Sequence, residues 1–206
     1  MNNKIIFLNS GIYSFLNLFQ KGINFLLIPV LTIYLTTLDY GVVAVITAVN
    51  AFLSKIFLFS LTSSITRFYY EYEQDIVKVK KLIGTIVTFV LITSTGLTII
   101  LFFGHELFLN PFLKEIEFYP YMAIGLLSVL FSPLFVIYQH TLQVKQEGAK
   151  YGKLNFLFFI TNLVLLLIGV IVLDQKAIGV IGALTITNIF FFLLPYIKLG
   201  RMFFLC

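Results

Sequence analysis

Charge is what this sequence lacks first. Only 11% of its 206 residues are Asp, Glu, Lys or Arg, 60% are hydrophobic, and the mean hydropathy is +1.02. A soluble domain of that make-up could not keep its surface wetted. Cysteine is nearly absent as well: the single Cys206, at the very end, excludes an internal disulfide and any C-x-x-C metal or redox site. Histidine occurs only at His105 and His140, far apart in sequence, and each reads as an interfacial side chain. There is no Walker A motif, no H-E-x-x-H and no cluster with metal-ligand spacing. The chain therefore reads as a protein without enzymatic chemistry, metal or cofactor.

What the sequence has is apolar length. Six segments of at least about 18 apolar residues match the thickness of a bilayer core when helical. They cover 12–35, 42–65, 82–103, 119–142, 154–173 and 177–197. A membrane barrel would show short alternating strands instead of unbroken Leu, Ile, Val and Phe runs. The expectation is an all-α, polytopic membrane protein: one six-helix bundle forming a single transmembrane domain over 1–206. The connections 67–81 and 104–118 are the longest and leave no room for a soluble domain. The start does not read as a cleavable signal peptide, because Lys4 is its one basic residue and the apolar run that follows is long, polar-striped and without an A-x-A site. Pro29 and Pro133 fall inside helices, where a missing N–H frees a carbonyl and favours a kink.

Basic residues cluster in alternate connections. Lys4, Arg67, Lys78, Lys80, Lys81, Lys145, Lys150, Lys153, Lys198 and Arg201 fall on one side, and only Lys114 and Lys176 on the other. By the positive-inside rule both termini are cytoplasmic. The net charge of +5 is thus mostly a topology signal, and nucleic acid is not an expected partner.

Two lysines remain, Lys21 and Lys55, and both lie within apolar segments. A lone cation at the bilayer centre costs about 2.5–3.5 kcal/mol on the insertion scale, so something must compensate it. Lys21 lies about 14 Å into its helix at 1.5 Å per residue, close to the midplane. It shares a helical face with Asn9, Tyr13, Asn17 and Asn24, with Gln20 beside it, a face that avoids lipid. Either its stem snorkels to the headgroups, or the face lines a water-filled or partner-lined cavity. On the second helix Thr47, Asn50 and Ser54 form one polar stripe, and Lys55 and Thr62 a neighbouring one. No Asp or Glu falls inside the six segments, so neither lysine has an intramembrane carboxylate from its own chain. Two such cations point to an anionic ligand, unless amides and backbone carbonyls suffice or desolvation deprotonates one lysine. The missing carboxylates also leave no evident proton relay. A short repeat accompanies this pattern: five of twelve positions match between 41–52 and 179–190, at an offset of 138. It fits the internal symmetry of many transporters, and it also fits coincidence in so biased a composition.

Three stretches carry a family resemblance. The run from Phe25 through Pro29 to Leu35, followed by Asp39-Tyr40-Gly41, resembles the first helix and outer turn of bacterial O-antigen-type polysaccharide flippases in the multidrug/oligosaccharidyl-lipid/polysaccharide exporter superfamily. Arg67-Phe-Tyr-Tyr-Glu71-Tyr and the stretch from Gln146 through Gly148, Lys150 and Lys153 to Asn155 are similar to the same family. The likeness covers essentially the whole chain. It implies a transporter of the bacterial cytoplasmic membrane that moves a polyprenyl-diphosphate-linked oligosaccharide by alternating access, for surface polysaccharide such as lipopolysaccharide. By this resemblance Lys21 and Lys55 would meet the diphosphate, with Arg67 near the entrance, and Asn17, Asn24 and Asn50 complete the candidate substrate-binding set. The implied partners are membrane lipid, the anionic lipid-linked oligosaccharide, a second six-helix lobe or another copy, and other polysaccharide-assembly proteins. Such flippases usually have two lobes, and this chain looks like the amino-terminal one. The alternatives are a multidrug exporter lobe, which two unpaired lysines disfavour, and a non-transporting scaffold or truncated fragment.

Overall fold

The computed structural model describes residues 3–59, 61–72, 74–113 and 116–203, with side chains for most of the stretch 11–193. Lys114 and Cys206 lie outside the described residues, as do the side chains of Lys4, Asn9, Lys198 and Arg201. The helices are α1 (Asn3–Tyr34), α2 (Thr37–Leu58), α3 (Leu61–Glu71), α4 (Ile76–Phe103), the one-turn α5 (His105–Phe108) and α6 (Asn110–Leu113), α7 (Ala123–Val144), α8 (Gly148–Leu167) and α9 (Lys176–Phe203). A wide turn, Phe118–Met122, with Tyr119 extended, leads into α7, and a second, Ile168–Val172, prolongs α8. Six helical stretches are long and apolar enough to cross a membrane, and no strand occurs among the described residues. The six-span, all-α architecture is therefore the one expected.

Local chemistry sets where these helices start and stop. Thr36 and Asp39 form a capping box: the Thr36 amide donates to Asp39 Oδ2 at 2.9 Å, and the Asp39 amide to Thr36 Oγ1 at 3.2 Å. That cap starts α2 at Thr37, ahead of the expected 42, and brings Asp39 into its first turn. Asp75 does the same for α4: its carboxylate accepts from the amides of Val77 and Lys78, each at 3.1 Å, and the helix begins at Ile76 instead of 82. The expected second segment, 42–65, is in fact two helices. They part at Phe59, which is left-handed at φ 44° and ψ 32° and donates its amide to Ile56 O.

The bundle is organised around α7, which packs against α2, α3, α4, α8 and α9. Leu126, Val129, Leu134 and Ile137 are buried along it. Pro133 sits mid-helix and leaves the Val129 carbonyl without its usual amide; the Ser132 hydroxyl donates to that carbonyl at 3.1 Å. Phe135 of α7, Phe158 of α8 and Phe191 of α9 form a ring cluster with centroids 4.6 to 5.3 Å apart. Polar groups tie α9 to α7 as well. Thr185 Oγ1 donates to Ile124 O at 3.1 Å, and Asn188 Nδ2 to Ser128 Oγ at 2.9 Å. At the far end α8 and α9 nearly touch backbone to backbone at Gly169 and Gly179, which only the absence of side chains allows.

Candidate functional site: exposed cations on the first two helices

Four helices follow one another side by side: α1 packs on α8, α8 on α9 and α9 on α2. The row is left open between α1 and α2. These two are joined by a two-residue link, yet each packs chiefly against other helices. They meet near the link, where the Tyr40 hydroxyl reaches the Ile28 carbonyl at 3.4 Å and Leu35 is buried against Leu166, Val170 and Ala183. Beyond that point neither helix packs along the other.

On the α1 side, Asn17, Lys21 and Asn24 are all exposed. Tyr13, which the sequence grouped with them, is not on that surface. It is half-buried, with its ring edge-on to Tyr151 of α8 at a centroid distance of 4.8 Å. The reason is helical drift: a four-residue step overshoots a full turn by about 40°, so residues 13 and 21 differ by about 80°. The face of α1 that meets α8 holds Tyr13, Leu16, Gln20, Ile23, Leu27 and Val30 at steps of three and four, all partly buried. The polar stripe thus divides into a packing side and an open side, with Lys21 on the open one.

On α2, Lys55 is exposed. Among the described residues the ion pairs are Lys78 with Asp75 and Lys150 with Glu147, so neither Lys21 nor Lys55 has a carboxylate partner. Asn50 takes a different position. It is 8% exposed and lies in the α2–α7 interface, where a side chain on Gly125 would come within 3.3 Å of its amide nitrogen. The structure therefore does not bring Asn50 to the surface with Lys55. Arg67 is exposed on α3, beyond the break at Phe59, with its guanidinium carbon 5.7 Å from the centre of the Phe68 ring.

Two features were not anticipated from the sequence. Gln139 of α7 donates Nε2 to Asn155 Oδ1 of α8 at 3.2 Å, bridging the two helices. This bridge has no local sequence signal, since it joins residues on different helices. The other is a cavity of about 380 Å³ in the connection before α7, lined by His105, Glu106, Leu113, Ile116, Glu117, Phe118 and Tyr119. His105 stacks on Phe118 at a centroid distance of 4.0 Å, with Nδ1 3.0 Å from the Phe102 carbonyl oxygen. Among the described residues no three His, Cys, Asp or Glu side chains come together to hold a metal ion. Chemically, α1 and α2 offer two exposed ammonium groups and two exposed amides on an otherwise apolar surface, groups whose chemistry suits an anion.

The sequence matches the family described as polysaccharide biosynthesis protein over residues 6–205. No curated protein and no solved structure matches the chain.

Proposed function

The chain belongs to the polysaccharide biosynthesis protein family, and on that premise we propose that it forms one lobe of a flippase. Its substrate is a polyprenyl-diphosphate-linked oligosaccharide, which crosses the bacterial cytoplasmic membrane for surface polysaccharide assembly. The observation that carries this reading is a pair of cations on the first two helices. Lys21 on α1 and Lys55 on α2 are both exposed, and neither is ion-paired among the described residues. An uncompensated cation at this depth is costly alone and favourable beside a diphosphate. Asn17 and Asn24 add hydrogen-bonding capacity beside Lys21, and Arg67 adds a third cation on α3.

In this account the protein does no covalent chemistry. It supplies charge and amides to the head of the lipid while the apolar outer faces of the bundle meet the acyl chains. A second lobe, or a second copy, completes the path, and both termini face the cytoplasm. Transport then requires that the loaded site favour one access state over the other by differential affinity. The test is reconstitution with a partner lobe in proteoliposomes. Fluorescent lipid-linked oligosaccharide should become accessible on the opposite leaflet faster than in vesicles lacking the chain; equal rates would contradict the proposal.

A further inference from the structure

The connection between α4 and α7 is anchored to the bundle. Leu109, Leu113 and Phe118 are buried in one cluster with Ile46 of α2, Met122 and Ile181 of α9. Ring contacts brace it further. His105 stacks on Phe118 at a centroid distance of 4.0 Å, and Tyr119 stands edge-on to Phe118 at 4.8 Å and to His105 at 6.0 Å. The cavity beside these rings is therefore walled in part by packed side chains. Its volume of about 380 Å³ falls within the range of small-molecule sites, about 300–1,000 Å³, and has room for a monosaccharide or disaccharide. It lies two spans beyond the α1–α2 link and at the same end of the bundle, the outer end in the orientation proposed above.

The lining is rich in acceptors and poor in donors. Glu106 and Glu117 are exposed, and neither is ion-paired among the described residues. His105 Nδ1 lies 3.0 Å from the Phe102 carbonyl oxygen, so that nitrogen carries the proton, and in the neutral ring Nε2 is left an acceptor. Among the lining side chains the Tyr119 hydroxyl is the remaining donor. A ligand that matches this set brings many donors and no negative charge, because two carboxylates repel a phosphate or a uronate. Tyr119 is 54% exposed and bares an electron-rich ring beside those carboxylates. Such a ring suits the C–H face of a pyranose. The carboxylates suit its hydroxyls, and bind an ammonium substituent more strongly still through charge-assisted hydrogen bonds.

We propose that this pocket is a saccharide subsite. A sugar ring lies on Tyr119, Glu106 and Glu117 accept its hydroxyl or ammonium protons, and the site prefers amino sugars to neutral ones and neutral ones to acidic ones. Its negative lining excludes a diphosphate, so it takes the glycan part of a lipid-linked substrate and meets it at the outer end of the lobe. The choice of a saccharide among donor-rich ligands rests on the flippase reading above; the preference for cationic over anionic rings does not.

Methyl β-glucosaminide, methyl β-glucoside and methyl β-glucuronide, titrated near neutral pH onto the full chain in lipid nanodiscs and followed by saturation-transfer NMR, test it. The glucosaminide should bind at least about fivefold more tightly than the glucoside, and the glucuronide should show no saturable transfer. Glu106→Gln combined with Glu117→Gln should bring the glucosaminide within about twofold of the glucoside. Tyr119→Leu should weaken both at least about fivefold, whereas Tyr119→Phe, which keeps the ring face, should bind within about twofold of wild type. All three positions are exposed, so the melting temperature should not change. The proposal is overturned if the glucuronide binds as well as the glucoside, if the preference survives in the double glutamine variant, if Tyr119→Leu binds like wild type, or if wild type binds no sugar. Cyclohexylamine bound as tightly as the glucosaminide would make the pocket an amine site and overturn the saccharide assignment. Translocation is read separately. A chain that moves lipid-linked oligosaccharide but binds none of these sugars loses the subsite and keeps the flippase reading; one that binds them but moves no lipid does the reverse.

Discussion

Replacing Gly179 with alanine puts a methyl group into the tightest helix crossing of the bundle. Its Cβ would lie 2.7 Å from Gly169 C, 2.8 Å from Gly169 O and 3.0 Å from Val170 N. All three are backbone atoms, so no side chain can swing aside. α8 and α9 must separate by roughly half an ångström to one ångström, loosening the cluster of Leu35, Leu166, Val170 and Ala183 beside them. Overpacking of this kind costs about 1–3 kcal/mol, offset in part by up to about 1 kcal/mol of helix propensity gained over glycine. At about 2–4 °C per kcal/mol for a chain of this size, the melting temperature in detergent should fall by several degrees when followed by circular dichroism. Gly41 and Gly182 provide the comparison, because a Cβ at either has nothing within 4 Å. Gly41→Ala and Gly182→Ala should melt at or slightly above wild type. A Gly179→Ala protein that melts with those two would refute the close crossing.

Three further outcomes follow from the same geometry. Asn188→Ala removes the bonds to Ser128 O and Oγ, at 3.2 and 2.9 Å in a buried site, and should lower stability by about 1–2 kcal/mol in the same melt; an unchanged melt would mean that this link between α9 and α7 carries no weight. The Asp75 carboxylate is held below the ordinary carboxylate range, chiefly by the Lys78 amide, with the Lys78 side chain and the Val77 amide adding to it. Its contribution to the start of α4 is therefore complete above about pH 4 and lost as pH falls through the lowered value. The protection factors of the Val77 and Lys78 amides, relative to intrinsic exchange at the same pH, should fall in that acidic window in wild type and be low at every pH in Asp75→Ala. For orientation, a cysteine at Lys176 in a Cys206→Ser background should react with a membrane-impermeant maleimide in intact cells, and one at Lys78 should not; the reverse pattern would invert the topology.

The spans were legible because hydrophobic length is a property of the chain itself. Each of the six apolar runs falls in a helical stretch of membrane length, the second of them broken at Phe59. Their ends were less so. The early starts of α2 and α4 depend on Thr36, Asp39 and Asp75, ordinary capping residues placed ahead of runs that were bounded by hydropathy alone. The break at Phe59 had no signal at all, since neither proline nor glycine marks it and the left-handed turn falls on an aromatic residue. For the site, periodicity found the face of Lys21 but not its limits, because a four-residue step rotates Tyr13 toward α8 while Lys21 stays open. The stripe of Thr47, Asn50 and Ser54 showed which residues share a side of α2. It could not show that Gly125 of α7 makes room there for Asn50.

The central claim is that Lys21 and Lys55 act as the cations of an anion-conducting path, and translocation tests it most directly. Proteoliposomes holding the chain and a partner lobe would be loaded with fluorescent polyprenyl-diphosphate oligosaccharide, and the rate of its appearance on the opposite leaflet measured for four proteins. Charge-assisted contacts of about 1.5–3 kcal/mol imply that Lys21→Ala and Lys55→Ala each lower the rate at least about tenfold. Lys21→Arg combined with Lys55→Arg should stay close to wild type, since the charge is kept. Alanine variants that flip the lipid at the wild-type rate would contradict the account.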